Sequence, residues 1–361
     1  MVQAEIGVGV VGVNATSRWA GVSHIPAIKG LAGVRLAAVA TRNAQSAKQA
    51  AEAFGADRWY ADPLEMMRDE RIGIVTVTVK VPAHRDLVLA ALAAGKAVYC
   101  EAPLGSSLPE TEVLAGAVRS QHTAIGFQGR LNPTVRRAAE IVASGKIGRP
   151  LSARVLSTTS GFGPKMASND DYYNKAAAGS NLLTVTTAHT LDLVEGLLGP
   201  ITEVDARTET RWPSVELTDT GTLSQREVPD HVDVLGKTQS GAVFAAQMLA
   251  GVAPEQGEFR LVIRASEGWL SLTGDHPYGF QAGDPKLAAS VAFAPPEAPA
   301  VASGGFQGAA MNIAEVYAGL VDDLRTGAYS TPGFDHALHV ARLTEAVRLA
   351  GENGRRQTLA A

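Results

Sequence analysis

The sequence predicts a doubly wound α/β domain followed by an α+β domain. Three observations carry this. The β-branched run Ile6 to Val11 ends in Gly12, and a polar loop then leads to Gly21, where a helix through Ile28 begins. Apolar strands and helical segments alternate five times with short connections. Beyond them, strand-like runs follow one another without regular helical interruption.

The bulk properties set limits. At 361 residues the chain is long enough for about two domains. Hydrophobic residues at 46% and charged ones at 19% describe an ordinary globular protein. A net charge of −4 argues against non-specific nucleic-acid binding. The single cysteine, Cys100, excludes an internal disulfide and fits a reducing cytoplasm. No apolar run reaches membrane-spanning length, and no basic, apolar leader precedes the first strand. A cytoplasmic protein without membrane or nucleic-acid partners is therefore expected.

The first strand suits a parallel sheet covered on both faces. Strand, glycine, loop and helix together bring backbone N–H groups and a helix N-terminus to a pyrophosphate. The alternative is that the glycines only make a tight turn. The usual G-x-G-x-x-G is broken, since Asn14 holds the second glycine position and the last glycine is delayed to Gly21. Val34 to Ala40 is the second strand. The end of this strand meets the adenosine ribose in dinucleotide folds, where a carboxylate selects the 2′-OH and a hydroxyl followed by Arg suits a 2′-phosphate. Thr41-Arg42-Asn43 has no carboxylate, a modest preference for NADP over NAD; alternatively it is a solvated turn with Asn43 as a helix cap.

Gln45 to Phe54 has helical spacing, Asp57 to Tyr60 is a short strand, and Pro63 to Arg68 a short helix beside Asp62. Ile72 to Val79 is the next strand, followed by Lys80-Val81-Pro82-Ala83-His84. A helix from Asp86 to Ala94 is stopped by Gly95. Lys96 to Cys100 is a strand running into Glu101-Ala102-Pro103. In such sheets the ligand crevice lies at the carboxyl ends of the strands, where Gly12, Thr41, Lys80 and Glu101 all fall. Leu108 to Ser120 is helical, Ala124 to Gln128 a strand, and Thr134 to Ser144 a helix. Leu151 to Thr158, Ile201 to Thr210, His231 to Thr238, Ala242 to Leu249 and Phe259 to Leu272 read as strands. The amphipathic helices Met311 to Thr326 and Gly333 to Ala350 close the chain.

The order of GVGVVG, GKAVYCEAP, GRLNP, SGKIG and Ala188-His189-Thr190-Leu191-Asp192 resembles the glucose–fructose oxidoreductase and inositol dehydrogenase family. The resemblance covers nearly the whole chain. It implies a Rossmann domain (1–130), an α+β domain with a large, mostly antiparallel open sheet that often forms oligomer contacts (131–330), and a C-terminal helix packing back on the first domain (331–361). The lengthened loop before His24, Val79 to His84, Phe127 to Arg130, Gly179 to Leu182 and Pro229-Asp230-His231 are most similar to the galactose-pathway repressor branch of the family, which binds NAD(P) but acts by binding a transcriptional activator. On this resemblance Asn14, Ser17, Arg18 and Trp19 belong to a branch-specific cofactor loop. Ser17 and Arg18 would contact the phosphates in place of the missing glycine. On the same resemblance Glu101 would brace the nicotinamide-side backbone or bind the ribose, with Ala102 beside it among the cofactor contacts.

The catalytic positions depart from the family. Ala102 stands where the family carries a proton-handling lysine, and Val185 where an aspartate usually precedes the histidine by four residues. His189 remains as a general base or as a hydrogen-bonded helix residue. Asp192, one turn on, orients it or serves as a structural anchor. Lys80 would fill part of the space left by Ala102 if the two strands are neighbours; the alternative is a solvated lysine. His84 is grouped with the cofactor contacts, although shaping its turn is the simpler role. Arg130 is read as a structural bridge between domains. Ser157 to Ser180 is a polar, aromatic candidate lip, with Lys165, Asp171, Tyr172 and Tyr173 able to touch a polyhydroxylated substrate and Tyr172 a possible proton donor. No metal-ligand spacing occurs.

Two functions follow: an NAD(P)-dependent oxidoreductase acting on a sugar-like or other hydroxyl or carbonyl substrate, and a catalytically weak cofactor-binding regulator. Ala102 and the branch resemblance favour the second; the ordinary composition and polar lip offer no protein-binding groove, and the enzyme is preferred. A homo-oligomer through the open sheet is expected.

Overall fold

A computed structural model describes residues 5–16, 19–301 and 308–359. The chain opens with β1 (Ile6–Val11), α1 (Trp19–Val22), α2 (His24–Gly30), β2 (Val34–Ala40), α3 (Ala44–Phe54), β3 (Arg58–Tyr60), α4 (Pro63–Arg68), β4 (Ile74–Val77), α5 (His84–Ala93), β5 (Ala97–Cys100), α6 (Leu108–Gly116) and β6 (Thr123–Ile125). The six strands form one sheet in the order β3-β2-β1-β4-β5-β6, and every pairing is parallel. This is the doubly wound Rossmann arrangement, with its switch point between β1 and β4. Val8 and Val10 of β1 and Ile74 and Val75 of β4 are fully buried, each worth about 1.5–3 kcal/mol relative to an exposed side chain.

Local chemistry sets the helix starts. Asn43 caps α3 by accepting from Ser46 N (2.8 Å), and Asp62 caps α4 by accepting from Leu64 N (2.8 Å) with Pro63 at the first position. The helix expected over Gly21 to Ile28 is instead two. Pro26 has no N–H to continue the α1 ladder, and Ser23 closes α1 by donating its hydroxyl to Trp19 O (2.7 Å).

The chain continues with α7 (Pro133–Ala143), β7 (Pro150–Thr159), β8 (Lys165–Met166), α8 (Ala188–Leu198), β9 (Ile201–Glu209), β10 (Ser214–Leu217), β11 (Thr222–Gln225), β12 (His231–Thr238), β13 (Val243–Ala250), β14 (Phe259–Ala265), β15 (Trp269–Gly274) and β16 (Lys286–Ala289). It ends with α9 (Ala309–Thr326), α10 (Phe334–Asn353) and β17 (Gln357–Thr358). The large sheet runs β16-β15-β14-β7-β13-β12-β9-β17 and is open. Its pairings are antiparallel apart from β7 with β13. A small sheet of β11-β10-β8 stands apart.

Period-two burial decides which face of the large sheet is covered. Val232, Val234, Phe244, Ala246 and Met248 point to a core shared with Val135 and Ile141 of α7, Leu191 and Leu197 of α8, and Leu343 and Val347 of α10. The opposite face shows Leu235 and Val243, 59% and 52% exposed.

Two compact units result: residues 1–128 with 299–338, and 129–298 with 339–361. The α9 segment therefore belongs with the Rossmann sheet, where it lies against α2. The C-terminal helix α10, expected as a whole on the first domain, passes from one unit to the other, and its later turns bury Leu343 and Val347 in the second core. No helix among the described residues is long and apolar enough to cross a membrane.

Candidate functional site

The carboxyl ends of the parallel strands are stitched edge to edge. Gly12 N donates to Ala40 O (3.0 Å), Thr78 N to Val11 O (3.0 Å), Glu101 N to Val77 O (3.2 Å) and Gly126 N to Cys100 O (2.9 Å). Gly12, Thr41, Lys80 and Glu101 consequently leave the sheet at one edge, at the switch point where doubly wound folds bind ligands.

Gly12 cannot be replaced without disturbance. Its φ is +98°, and a Cβ there would stand 2.5 Å from Val79 Cγ1 and 3.1 Å from Thr78 C. The bare backbone leaves a cradle on the β1 side of the crevice. Asn14, in the second glycine position, is exposed, and its Oδ1 accepts from Thr16 N and Thr16 Oγ1, both at 2.9 Å. The loop is thus shaped by an Asx turn instead of a glycine. Trp19 opens α1, and its Nε1 is a buried donor without a partner among the described residues. A free buried donor and a glycine cradle at this strand end fit a dinucleotide pyrophosphate. Ser17 and Arg18 lie outside the described residues.

At the end of β2, Thr41 Oγ1 donates to Asn43 O (3.0 Å) and shares a hydrogen with Ser46 Oγ (2.5 Å). Asn43 caps the helix that follows, and Arg42 is exposed beside it, as the solvated-turn alternative expects.

β4 and β5 are neighbours, with Val77 level with Cys100, so the condition set for Lys80 is met. Lys80 is exposed and precedes a 3₁₀ turn, Val81–Ala83. His84 is turned into the protein interior. It is 1% exposed, with Nε2 2.9 Å from Val79 O and Nδ1 3.2 Å from Leu104 O and 3.3 Å from Cys100 Sγ. Burial pulls its pKa below the ordinary value, so the ring is neutral and has one proton to place. A proton on Nε2 serves Val79 O, and Nδ1 then accepts from the Cys100 thiol, itself held protonated by burial. The residue ties the β4 loop to β5.

Glu101 and Ala102 follow β5, and the Ala102–Pro103 peptide is cis. Glu101 Oε1 accepts from His24 Nε2 at 2.6 Å. His24 Nδ1 lies 2.9 Å from Tyr317 Oη, which lies 2.8 Å from Thr76 Oγ1. Sequence reasoning missed this line; a polar Thr within Ile74–Val77 and a Tyr within the apolar face of α9 were its only local signals.

In the second unit, His189 is 5% exposed near the start of α8, just after a π-helical turn, Leu183–Thr187. Such turns recur at functional positions, and this one includes Val185. Asp192 Oδ1 accepts from Arg130 Nη1 at 2.6 Å, and its side chain is 2% exposed. Arg130 and Asp192 belong to the same unit, so this ion pair is not the inter-domain bridge that Arg130 was expected to make. One turn on, Glu195 holds His339 Nε2 (2.7 Å) and Ile201 N (2.8 Å).

The lip is an organised structure. Tyr172 stacks obliquely on Tyr173 (4.0 Å between centroids), and Tyr173 meets Phe162 edge-on (5.2 Å). Burial, reinforced by Tyr173, holds the Tyr172 phenol far above its ordinary pKa, which opposes a role as proton donor. Asp171 accepts from Asn174 Nδ2 (3.0 Å), and Lys165 pairs with Glu216 (2.8 Å). Among the described residues no group of three or more His, Cys, Asp or Glu could hold a metal ion.

Residues 6–128 match the model of the oxidoreductase family with an NAD-binding Rossmann fold, and residues 133–274 match that of the Gal80p C-terminal domain. The chain is 32% identical over 248 residues to dehydrogenase aclE of Aspergillus oryzae, covering 66% of this chain and 68% of that protein. It is 26% identical over 293 residues to the galactose/lactose metabolism regulatory protein GAL80 of Saccharomyces cerevisiae (75% and 67%) and 26% over 291 residues to D-apiose dehydrogenase of Rhizobium rhizogenes (79% of each). Two solved structures share the fold over 99% of this chain. Levoglucosan dehydrogenase with NADH and L-sorbose gives a TM-score of 0.83 at 21% identity, covering 100% of that chain. A super-repressor mutant of Saccharomyces cerevisiae Gal80p gives 0.85 at 22%, covering 98%.

Proposed function

The chain belongs to the oxidoreductase family with an NAD-binding Rossmann fold, and from that premise we propose that it is an NAD(P)-dependent oxidoreductase acting on a sugar-like or other hydroxyl or carbonyl small molecule. The observation that carries this reading is the glycine cradle at Gly12, set at the same sheet edge as the Glu101 carboxylate. Gly12, Asn14 and Trp19 would hold the pyrophosphate, Thr41 and Arg42 the adenosine ribose, and Lys80, Glu101 and Ala102 the nicotinamide side. The cofactor, when bound, supplies hydride exchange. The protein supplies orientation and a proton partner. Ala102 can neither donate nor accept a proton, which leaves Lys80 in the same unit and His189 in the other as the candidate proton groups. Dehydrogenases of inositol, apiose and levoglucosan among the relatives support a polyhydroxylated substrate. The absence of a carboxylate at Thr41-Arg42 supports a modest NADP preference; Arg42→Ala should then weaken NADPH binding more than NADH binding.

A regulatory role is the second reading. Ala102 in place of the family's lysine and the Gal80p C-terminal match over 133–274 favour it. The test is direct. Purified protein is assayed for bound NAD(P), then for reduced-nicotinamide absorbance across sugars, polyols and their keto forms. Turnover on any of these supports the enzyme; cofactor binding without turnover across the panel favours the regulator.

Oligomers form, in this proposal, through the outer face of the large sheet. Leu235 and Val243 are both exposed there, on paired strands and on the same face.

A further inference from the structure

We propose that His24, backed by Tyr317 and Thr76, is a positioning residue that fixes the Glu101 carboxylate to receive the ribose hydroxyls on the nicotinamide side of the crevice. The inference rests on reading that crevice as a dinucleotide site.

Four side chains from separate parts of the Rossmann unit form one line of hydrogen bonds. Glu101 follows β5, His24 begins α2, Tyr317 lies on α9 and Thr76 on β4. The protons can be counted. The Glu101 carboxylate only accepts, so His24 Nε2 carries the hydrogen between them. In the neutral ring Nδ1 is then an acceptor. Tyr317, whose phenol is kept protonated by burial, donates to it, and the same phenol oxygen accepts from Thr76 Oγ1. A single ring proton on His24 satisfies the line, and each bond has one direction.

Packing removes the freedom to rearrange. The Tyr99 ring stands 5.1 Å from that of His24 and 4.9 Å from that of Tyr317, and all three side chains are fully buried. Gly126 presents bare backbone beside this carboxylate, since a Cβ there would lie 3.0 Å from Ala102 N and 3.3 Å from Glu101 Oε2.

The line also has a direction in space. His24, Tyr317 and Thr76 have no exposed surface, whereas the Glu101 side chain keeps 18%. A buried polar line is costly to build unless every group is satisfied, and a mere crosslink needs no carboxylate at its open end. Glu101 stands in the β4-β5-β6 half of the sheet, across β1 from the β2 end that receives the adenosine ribose. A fixed carboxylate in the second half suits the vicinal hydroxyls of the other ribose.

The experiment compares binding of NADH and of ADP, which lacks the second ribose and nicotinamide, by calorimetry. Wild type, His24→Leu, His24→Gln and Tyr317→Phe are measured, each with its melting transition. His24→Leu should weaken NADH binding about tenfold or more, the scale of a lost hydrogen bond to a charged group, and leave ADP binding unchanged. His24→Gln, which retains an amide donor, should recover most of the loss. Unchanged NADH affinity in His24→Leu overturns the proposal, as does an equal loss for NADH and ADP. Should His24→Leu lose its cooperative melting, Tyr317→Phe decides, because it removes one oxygen: NADH binding weakened with ADP binding intact supports the positioning role, and unchanged NADH affinity overturns it. Wild type that binds neither nucleotide refutes the dinucleotide reading itself, a result separate from any variant.

Discussion

Arg226 and Asp230 meet inside the second unit as an ion pair, Nη1 to Oδ2 at 3.0 Å, with side chains 1% and 0% exposed. Further hydrogen bonds hold both partners. Asp230 also accepts from Arg211 N (2.8 Å) and Trp212 N (2.9 Å), while the guanidinium donates to Asn174 Oδ1 (2.9 Å) and Gly163 O (2.7 Å). Burial lowers the Arg226 pKa and Asp230 opposes that. The pair thereby pins both ends of the lip. Asp230→Ala leaves the cation buried and unpaired and should cost about 3–5 kcal/mol in urea unfolding. The double variant Arg226→Met/Asp230→Leu should cost less than either single change. A single change no worse than a surface substitution would count against this account.

Gly12→Ala combines left-handed backbone strain with a collision against Val79. It should weaken NADH binding by at least about tenfold, that is 1.4 kcal/mol, and lower the melting temperature. Gly95→Ala is the matching control: its φ is +71° but nothing lies within 4 Å of the added carbon. It should cost about 1 kcal/mol of stability and leave binding alone.

His339 has its pKa raised, chiefly by its hydrogen bond to Glu195. A raised histidine pKa stabilises the fold fully below the unfolded value and loses that contribution as pH rises through the folded value. His339→Gln should therefore lower the melting temperature near pH 5.5 and have little effect near pH 9, with a cost of about 1 kcal/mol after allowance for solvent screening. Equal losses at both pH values would exclude the charged pair as the cause.

Lys80→Ala tests the proton assignment. The expected loss in kcat is about a hundredfold, the lower range for a positioned acid–base group, over and above the weaker NADH binding that follows from losing a contact on the nicotinamide side. Ala102→Lys in that background should restore part of the rate. Full turnover in Lys80→Ala removes Lys80 from the mechanism.

The oligomer proposal is tested by Leu235→Glu combined with Val243→Glu, since two buried carboxylates facing a partner copy oppose association. Light scattering should show a smaller species with the NADH affinity intact. An unchanged mass would move the interface elsewhere.

The sequence revealed the Rossmann sheet well because its strands are buried on both faces and read as apolar runs, as in Ala97–Cys100. It revealed the alternating strands of the large sheet for the complementary reason. The β10–β11 hairpin was missed: β11 is mostly exposed, with Leu223 at 69%, and has no clean alternation. The division of α1 from α2 was missed although Pro26 marked it. The strand ends bearing Gly12, Thr41, Lys80 and Glu101 were legible from turn chemistry. The His24–Tyr317 bond was not, because its partners are 293 residues apart and no local period records such a pairing. The same applies to Arg130 and Asp192, whose places in the sequence gave no sign that they choose each other.

The parallel pairing of β7 with β13 has a consequence for synthesis. β7 ends at Thr159, but its neighbours, Val243–Ala250 and Phe259–Ala265, are translated much later. As the chain leaves the ribosome, the central strand of the large sheet has both edges unpaired until nearly three quarters of the polypeptide has been made. Non-local pairing of this kind is slow, and open strand edges invite wrong partners. The six-stranded parallel sheet can form earlier, from residues 6–125. Nascent chains halted before β13 should thus carry a Rossmann sheet that still lacks α9, beside an unfolded remainder, the state in which a chaperone has most to protect.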